Sequence, residues 1–337
     1  MRAMWITRFQ LDSKDKIDRF IKIAKENNFN NIFVQVVGRG QGYYDSSVIP
    51  KIPLDFDPLE YIVEKSHKNN IKVHAWLNAY YVWSSAELPD DPNHVVNKHP
   101  QWLIPSNSQM KFLNPANNEV KNYLFDMYYE VVKKYDIDGI HFDYIRYDGY
   151  YYGLDRQTRE NFARTYFVDP FYIVYFPQAV KYYYGEQKYN YLKQKWIEYK
   201  CEQVSELVRD LSIAVKSLNK NILISAAVYG DLQTAIESKS QNWPLWLKKG
   251  WIDFAVPMLY TTDNDILQKR ISHIIKMVDG KKIVIGLGPY LMSPEEFYKQ
   301  YKTYKEYKNK NSSIIGFNLF SYDAIFSNQK YFSIFKK

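Results

Sequence analysis

The feature that most constrains this chain is an alternation repeated eight times: a short apolar run, then an amphipathic stretch of helical period. The runs are RAMWITR (2–8), NIFVQVV (31–37), IKVHAWLNA (71–79), GIHFDYI (139–145), NILISAAV (221–228), WIDFAVPMLY (251–260), KIVIGLG (282–288) and SIIGFNLF (313–320). Helices are expected over 13–28, 57–69, 117–135, 190–218, 232–249, 264–278 and 294–309, with a short closing helix near 328–335. Turn residues such as Asn27-Asn28, Asn69-Asn70 and Asp279-Gly280 punctuate the junctions. Strands that are apolar rather than strictly alternating are strands covered by helices. Eight of them, each followed by a helix, predict a closed (β/α)8 TIM barrel, read as one domain over 1–337. An open doubly wound sheet ranks behind it, because no glycine-rich turn opens the first helix. The close glycines at 38–42 lead into a loop, so a flexible barrel loop is preferred to a phosphate cradle.

Two connections are long, at about 80–116 after strand three and about 148–189 after strand four. Both leave the carboxyl ends of strands, where barrel enzymes place their sites, and the second is expected to carry short helices of its own. The stretch DGIHFDYIRY (138–147) then poses a question. Ile140 and Phe142 suit one face of a buried strand, whereas His141, Asp143 and Arg146 cost free energy to bury unless paired or used. Placing Asp143 at the barrel mouth answers it.

The same rim collects Gln35 and Arg39 from strand two, His74, Trp76, Asn78 and Tyr80 from strand three, and His141 and Arg146 with Asp143. Tyr229 and Asp231 follow strand five, Tyr260 ends strand six, and Asn318 and Asp323 end strand eight. One central carboxylate among amides, a histidine and aromatic rings suits a sugar: rings stack on pyranose faces, and a carboxylate serves an oxocarbenium-like transition state. Hydrolysis normally takes a second carboxyl, roughly 5–9.5 Å away depending on stereochemistry. Asp231 is the first choice, with Asp45, Asp148, Asp263 and Asp323 left open; a 2-acetamido group of the substrate could replace it. Asp143 paired with Arg146 as a purely structural salt bridge, and His74 and His141 as core histidines, are the plainer readings. Asp253, at the amino end of its strand, is read as a turn or cap residue, and Trp83 and Trp102 as stacking candidates.

GIHFDYIRY closely resembles the fourth-strand motif of the glycosyl-hydrolase-like 10 family (the YngK-like group). RAMWITRF, VHAWLNAY, FLNPANNEV, SAAVYGD and QNWPLWLKKGWIDFAVPMLYT extend that resemblance over nearly the whole chain. It implies a TIM barrel acting on glycosidic bonds, with some relatives linked to bacterial cell-wall glycans and hence to the cell envelope or exterior. Asp143 matches the family's strand-four acid, and His74, Asn78 and Arg146 its rim positions. Asp148 stands where relatives often carry proline, and Asn242 where QDW is common; Asn242 is read as a helix cap, since Asn caps about as well as Asp.

Composition narrows the partners. Aromatics make up 18% of residues, with 32 Tyr and 8 Trp, more than a core demands. The net charge of +8 raises nucleic acid as a partner, but the lysines interleave with acids, as in SKDKIDRFIKIAKENN, like a solvated helix face. Nucleic acid is therefore not expected, and a carbohydrate is. The single Cys201 excludes an intramolecular disulfide and a cysteine metal site, and reads as a small buried hydrophobe. His94 and His99 fit no metal spacing, so neither metal nor cofactor is expected. No run approaches the ~20 apolar residues of a membrane span. No signal peptide precedes the strand beginning at Arg2, which fits a cytoplasmic protein or one whose leader has been removed. The expectation is a glycoside hydrolase of a polysaccharide or amino-sugar, cell-wall-type glycan centred on Asp143. The alternative is a TIM barrel that binds carbohydrate without cutting it, and which would lack a second carboxylate near Asp143.

Overall fold

The computed structural model describes residues 1–106 and 108–336. Eight parallel strands close a barrel: β1 (Arg2–Ile6), β2 (Asn31–Gly38), β3 (Lys72–Asn78), β4 (Gly139–Asp143), β5 (Leu223–Tyr229), β6 (Phe254–Met258), β7 (Ile283–Leu287) and β8 (Ile314–Leu319). Neighbours in sequence are neighbours in space, and β1 closes the ring by pairing with both β2 and β8. The main helices between and after them are α1 (Lys14–Glu26), α2 (Pro58–His67), α3 (Asn118–Lys134), α4 (Glu186–Leu218), α5 (Trp243–Lys249), α6 (Asn264–Val278) and α7 (Pro294–Lys310).

Strand periodicity sorts the side chains into two cores. Met4, Ile6, Ile32, Val34, Ile140 and Phe142 point outward into a large cluster beneath the helices. Ala3, Trp5, Phe33, Trp76, Ala227 and Phe254 point inward and fill the barrel. The helices start where short polar side chains can take their free N–H groups: Ser13 for α1, Asp57 for α2, Asn117 for α3, Asp263 for α6, and a Ser293–Glu296 capping box for α7.

One expected helix divides. The stretch 232–249 forms a π-helical turn, Thr234–Ser238, then breaks before α5. Ser240 sits at φ 54°, and Pro244 at the start of α5 has no N–H to continue the earlier turn. Gln241, between them, ties the break to the sheet: its Oε1 accepts from Tyr229 N at 2.9 Å and its Nε2 donates to Ala227 O at 3.0 Å. Asn242 occupies the cap position of α5 as expected, but its side chain makes no capping hydrogen bond.

Both long connections are built. After β3, Tyr81–Ser84 pairs with Met110–Phe112 in an antiparallel ribbon. After β4 come helices Arg156–Tyr166, Pro170–Tyr175 and Pro177–Tyr184, packed through Phe162, Ile173 and Val180 onto Leu192 and Trp196 of α4. Asp253 does tie strand ends together, accepting from Ile224 N at 2.7 Å and Lys216 Nζ at 2.8 Å. Cys201 is buried.

The loop after β2 is held by one carboxylate on α3. Glu130 accepts from Ser46 Oγ at 2.7 Å, Ser47 N at 2.8 Å and Ser47 Oγ at 2.6 Å, and pairs with Lys134 at 3.0 Å. Burial pushes its pKa up, but these donors outweigh burial and hold it at about 2. A depressed carboxylate stabilises the fold fully above its ordinary value of 4.5, and the contribution fades as pH falls towards about 2. Glu130→Gln is expected to cost roughly 1.5–3 kcal/mol at neutral pH. Urea unfolding of both proteins between pH 7 and pH 2.5 checks this, the difference shrinking towards the acid end.

Candidate active site

At the carboxyl ends of the strands the barrel opens into a cavity of about 410 Å³. Gln35, Trp76, Asn78, Asp143, Arg146 and Tyr260 line it, as the rim reading expected. The wall is completed by Trp5, Thr7, Arg8, Phe9, Tyr81, Tyr144, Ala227, Met258 and Phe320. Four of these belong to β1 or the turn after it, a strand from which the rim reading takes no residue. The signal was present in RAMWITRF: alternation from Ala3 aims Trp5 inward, and Thr7, Arg8 and Phe9 follow at the carboxyl end.

Asp143 is the last residue of β4, opposite Asn78 of β3 in register, and only 7% exposed. Its Oδ2 accepts from Trp76 Nε1 at 3.1 Å and its Oδ1 from Tyr144 N at 2.7 Å, while Arg146 Nη1 stands 3.4 Å from Oδ1. Tyr144 reaches this arrangement with φ 48°, a left-handed conformation costing a non-glycine residue about 1–2 kcal/mol. Burial pushes the Asp143 pKa above the usual carboxylate range, against the Arg146 charge and the Tyr144 N–H. The neutral acid is thereby favoured relative to an exposed aspartate. Trp76 Nε1 also reaches Asn78 Oδ1 at 3.1 Å, and Gln35 Nε2 reaches the same oxygen at 3.4 Å, so the amides and the acid share one network. Tyr260 stacks on Phe320 with ring centres 5.6 Å apart, and Tyr290 meets both edge-on, forming an aromatic wall.

The two histidines lie inside the barrel and do not line the cavity. His74 is fully buried, stacks on Phe33 at 4.2 Å, and turns Nε2 to Asn31 Oδ1 at 2.9 Å. His141 accepts from Trp5 Nε1 at 3.2 Å through Nε2, which leaves its proton on Nδ1 facing Ser225 Oγ at 2.9 Å. Desolvation lowers the His74 pKa to about 3 and that of His141 well below its ordinary value, so both are neutral spacers. His141 acts on the site only by fixing the Trp5 ring.

The remaining rim candidates also stand apart from the cavity. Tyr80 lies beyond the end of β3, where strand alternation no longer aims it inward, and is fully buried in the outer core. Asn318 is fully buried inside the barrel, facing Ala3 and Gly286 in register, with neither amide atom partnered. Arg39 lies over the Trp83 ring at 4.0 Å, which occupies that stacking candidate, and Tyr229 backs the Arg146 guanidinium at 5.2 Å. Trp102 is likewise occupied, stacked on His99 at 3.7 Å.

None of the carboxylates considered as partners for Asp143 lines the cavity. Asp231 is exposed; its hydrogen bonding to Thr234, with N–H to Oδ1 at 2.8 Å, holds its pKa below the usual range. Asp45 pairs with Lys51, Asp148 with Lys239, Asp263 caps α6, and Asp323 accepts from Thr7 N and Gln10 Nε2. No group of three or more His, Cys, Asp or Glu side chains among the described residues could hold a metal ion, and no described helix is long and apolar enough to cross a membrane.

The family model for glycosyl hydrolase-like 10 matches residues 1–303. The chain belongs to that family. It is 23% identical over 356 residues to "Glycosyl hydrolase YngK" of Bacillus subtilis, covering 89% of this chain and 64% of that protein. It is 22% identical over 315 residues to "Glycosyl hydrolase DigH" of Escherichia coli, covering 82% of this chain and 65% of the other. The chain thus spans a little under two thirds of these curated relatives. Among solved structures, the PgaB (BpsB) glycoside hydrolase domain from Bordetella bronchiseptica superposes with a TM-score of 0.71 at 12% identity, over 99% of this chain and 97% of that one. The catalytic domain of beta-amylase from Paenibacillus polymyxa gives 0.66 at 10% identity, over 100% and 98%. At such identities the two structures speak for the shared barrel alone. Within this glycosyl hydrolase-like 10 chain, GIHFD is β4 and its acid stands at the mouth.

Gly139, at the start of that motif, leaves room for the interior histidine: a Cβ there would stand 2.1 Å from His74 Nδ1. His74 cannot retreat, because Phe33 stacks on its ring. Gly139→Ala is expected to destabilise by about 2–3 kcal/mol or more. Combining it with His74→Ala should recover part of that loss in a thermal-melt double-mutant cycle, whereas simple additivity would contradict the contact.

Proposed function

We propose that this chain hydrolyses glycosidic bonds of an amino-sugar-containing polysaccharide of the cell-wall type, with Asp143 as the proton-transferring group. The observation that carries the reading is a single desolvated carboxyl set in an aromatic, amide-lined cavity at the catalytic end of a barrel. Membership of a glycosyl hydrolase-like family and the relatives' names support the same reaction class.

With one carboxyl at the cavity, the substrate's 2-acetamido group supplies the nucleophile. Neutral Asp143 gives its proton to the glycosidic oxygen. The acetamido carbonyl oxygen attacks the anomeric carbon as the C–O bond breaks. The Asp143 carboxylate then takes a proton from the water that adds to the anomeric carbon and reopens the cyclic intermediate. Trp76 and Arg146 hold the carboxylate through both steps, Gln35 and Asn78 hold hydroxyls, and Trp5, Tyr260 and Phe320 face the sugar rings. The same single carboxyl also favours a second reading, a barrel that binds glycans without cutting them.

Reducing-end release from chitin oligomers and peptide-free peptidoglycan strands separates the two. Asp143→Asn, confirmed as folded by thermal melt, is expected to lose about 10²–10⁴-fold in rate. Cleavage surviving in a folded variant would remove Asp143 from the chemistry, and binding without cleavage in the wild type would favour the binding barrel. Since the reactive form is the protonated acid, kcat/KM should fall as pH rises through the elevated Asp143 pKa. A basic limb that persists in Asp143→Asn would assign it to another group.

A further inference from the structure

The cavity carries more positive charge than its own acid balances. Arg8 and Arg146 both line it, against Asp143 alone. Arg146 already serves that acid, though loosely at 3.4 Å, with Tyr144 at 4.3 Å and Tyr229 at 5.2 Å against its guanidinium. Its Nε, in a residue 6% exposed, has no partner.

Arg8 is the less balanced of the two, with no ion pair among the described residues. It is placed by several contacts. Its backbone N–H donates to Gln35 Oε1 at 3.2 Å, and its guanidinium lies over the Phe9 ring at 4.3 Å. The absence of a side chain at Gly38 gives it space, since a Cβ there would come within 2.9 Å of Arg8 Cδ. Arg39, just past β2, adds a second positive charge that acts on Arg8, and its own buried Nε is unpartnered. Arg8 and Arg39 are half-buried, and Arg8 has the neutral Tyr43 hydroxyl as a hydrogen-bond partner rather than an anion, so partly desolvated guanidinium groups with no carboxylate beside them make a prepared place for one.

We infer that the Arg8 side of the mouth, backed by Arg39, is a subsite for an anionic substituent, a carboxylate or sulfate, on the bound sugar chain. The inference rests on the reading of this cavity as a glycan site and names the class of glycan it selects. Arg8 follows β1 and Asp143 ends β4, with β2 and β3 between them. The anionic group would therefore sit apart from the proton-transferring acid, leaving Arg146 to that acid and its proton affinity unperturbed. Arg8 acts here as the specificity-determining residue, and Arg39, outside the cavity, acts only through its charge beside Arg8.

The test is binding to the full chain, read by titration calorimetry or by fluorescence of Trp5 and Trp76 in the cavity wall. The probes are two matched pairs: a hyaluronan tetrasaccharide with its carboxyl-reduced form, and a 6-O-sulfated chitin tetrasaccharide with its unsulfated parent. At least one anionic probe is expected to bind about tenfold or more tightly than its neutral match at low salt. The advantage should shrink as salt is raised. Which pair shows it tells carboxylate from sulfate. Arg8→Gln should bring the ratio to within about twofold, Arg39→Gln should narrow it less, and Arg8→Lys should keep part of it. Thermal melts confirm that each variant is folded. Equal affinities within both pairs for the wild type, or a ratio unchanged in folded Arg8→Gln and Arg39→Gln, would overturn the subsite. Since the readout is binding, failure to cleave any glycan would count against hydrolysis and leave this result standing.

Discussion

The site is organised around one desolvated carboxyl. An aspartate 7% exposed at the end of a barrel strand must find donors, and those of Asp143 come from different elements. Trp76 supplies an indole N–H from β3, and the parallel register sets Trp76 and Asn78 opposite His141 and Asp143. Tyr144 supplies a backbone N–H by entering a left-handed turn, and Arg146 a guanidinium from the turn that follows. These groups leave burial as the dominant influence on the acid. A carboxyl so held is structurally anchored, with its proton affinity raised above that of an exposed aspartate.

Below that acid the barrel holds neutral polar groups, some of them paired with one another, while both amide atoms of Asn318 and Nδ1 of His74 have no partner. Asn31 faces His74, and Ser225 faces His141, which takes the Trp5 N–H. Rings of Phe33 and Phe254 pack against the imidazoles. A histidine in such a place has no room for a charge, so it contributes shape and a single tautomer rather than proton transfer. The consequence reaches the surface of the cavity, because the Trp5 ring fixed by His141 is part of the wall.

Much of the architecture was legible in the chain. Apolar runs of strand length with helical stretches between them specify eight β–α units, because each strand needs a helix over its outer face. The strand motif GIHFD pointed to its acid because a carboxylate is an improbable companion for Ile140 and Phe142 unless it serves a purpose. The candidate site was legible in part. Gln35, Trp76, Asn78, Asp143, Arg146 and Tyr260 meet at one cavity because strand ends converge on the same rim. His74, His141 and Asn318 share the inward face but lie too deep, and periodicity tells which face a side chain takes without telling how far along the barrel axis it sits. Arg8 and Phe9 follow a short first strand that pairs with β2 on one side and, where the ring closes, with β8 on the other, and only that closure brings them to the same mouth as Asp143.

What the sequence determined by itself is the order of elements, the two faces of each strand, and the residue types available at each strand end. These are local properties, set by side-chain period and by the chemistry of turns and caps. Only the tertiary structure decided that Asp231 and the other acids considered lie outside the cavity. It alone set the balance of charge, two guanidinium groups against one carboxyl, and the burial that raises the acid's pKa. Distances between groups on different strands, and the dielectric surroundings they create, depend on ring closure and register, which a linear chain encodes only through its fold.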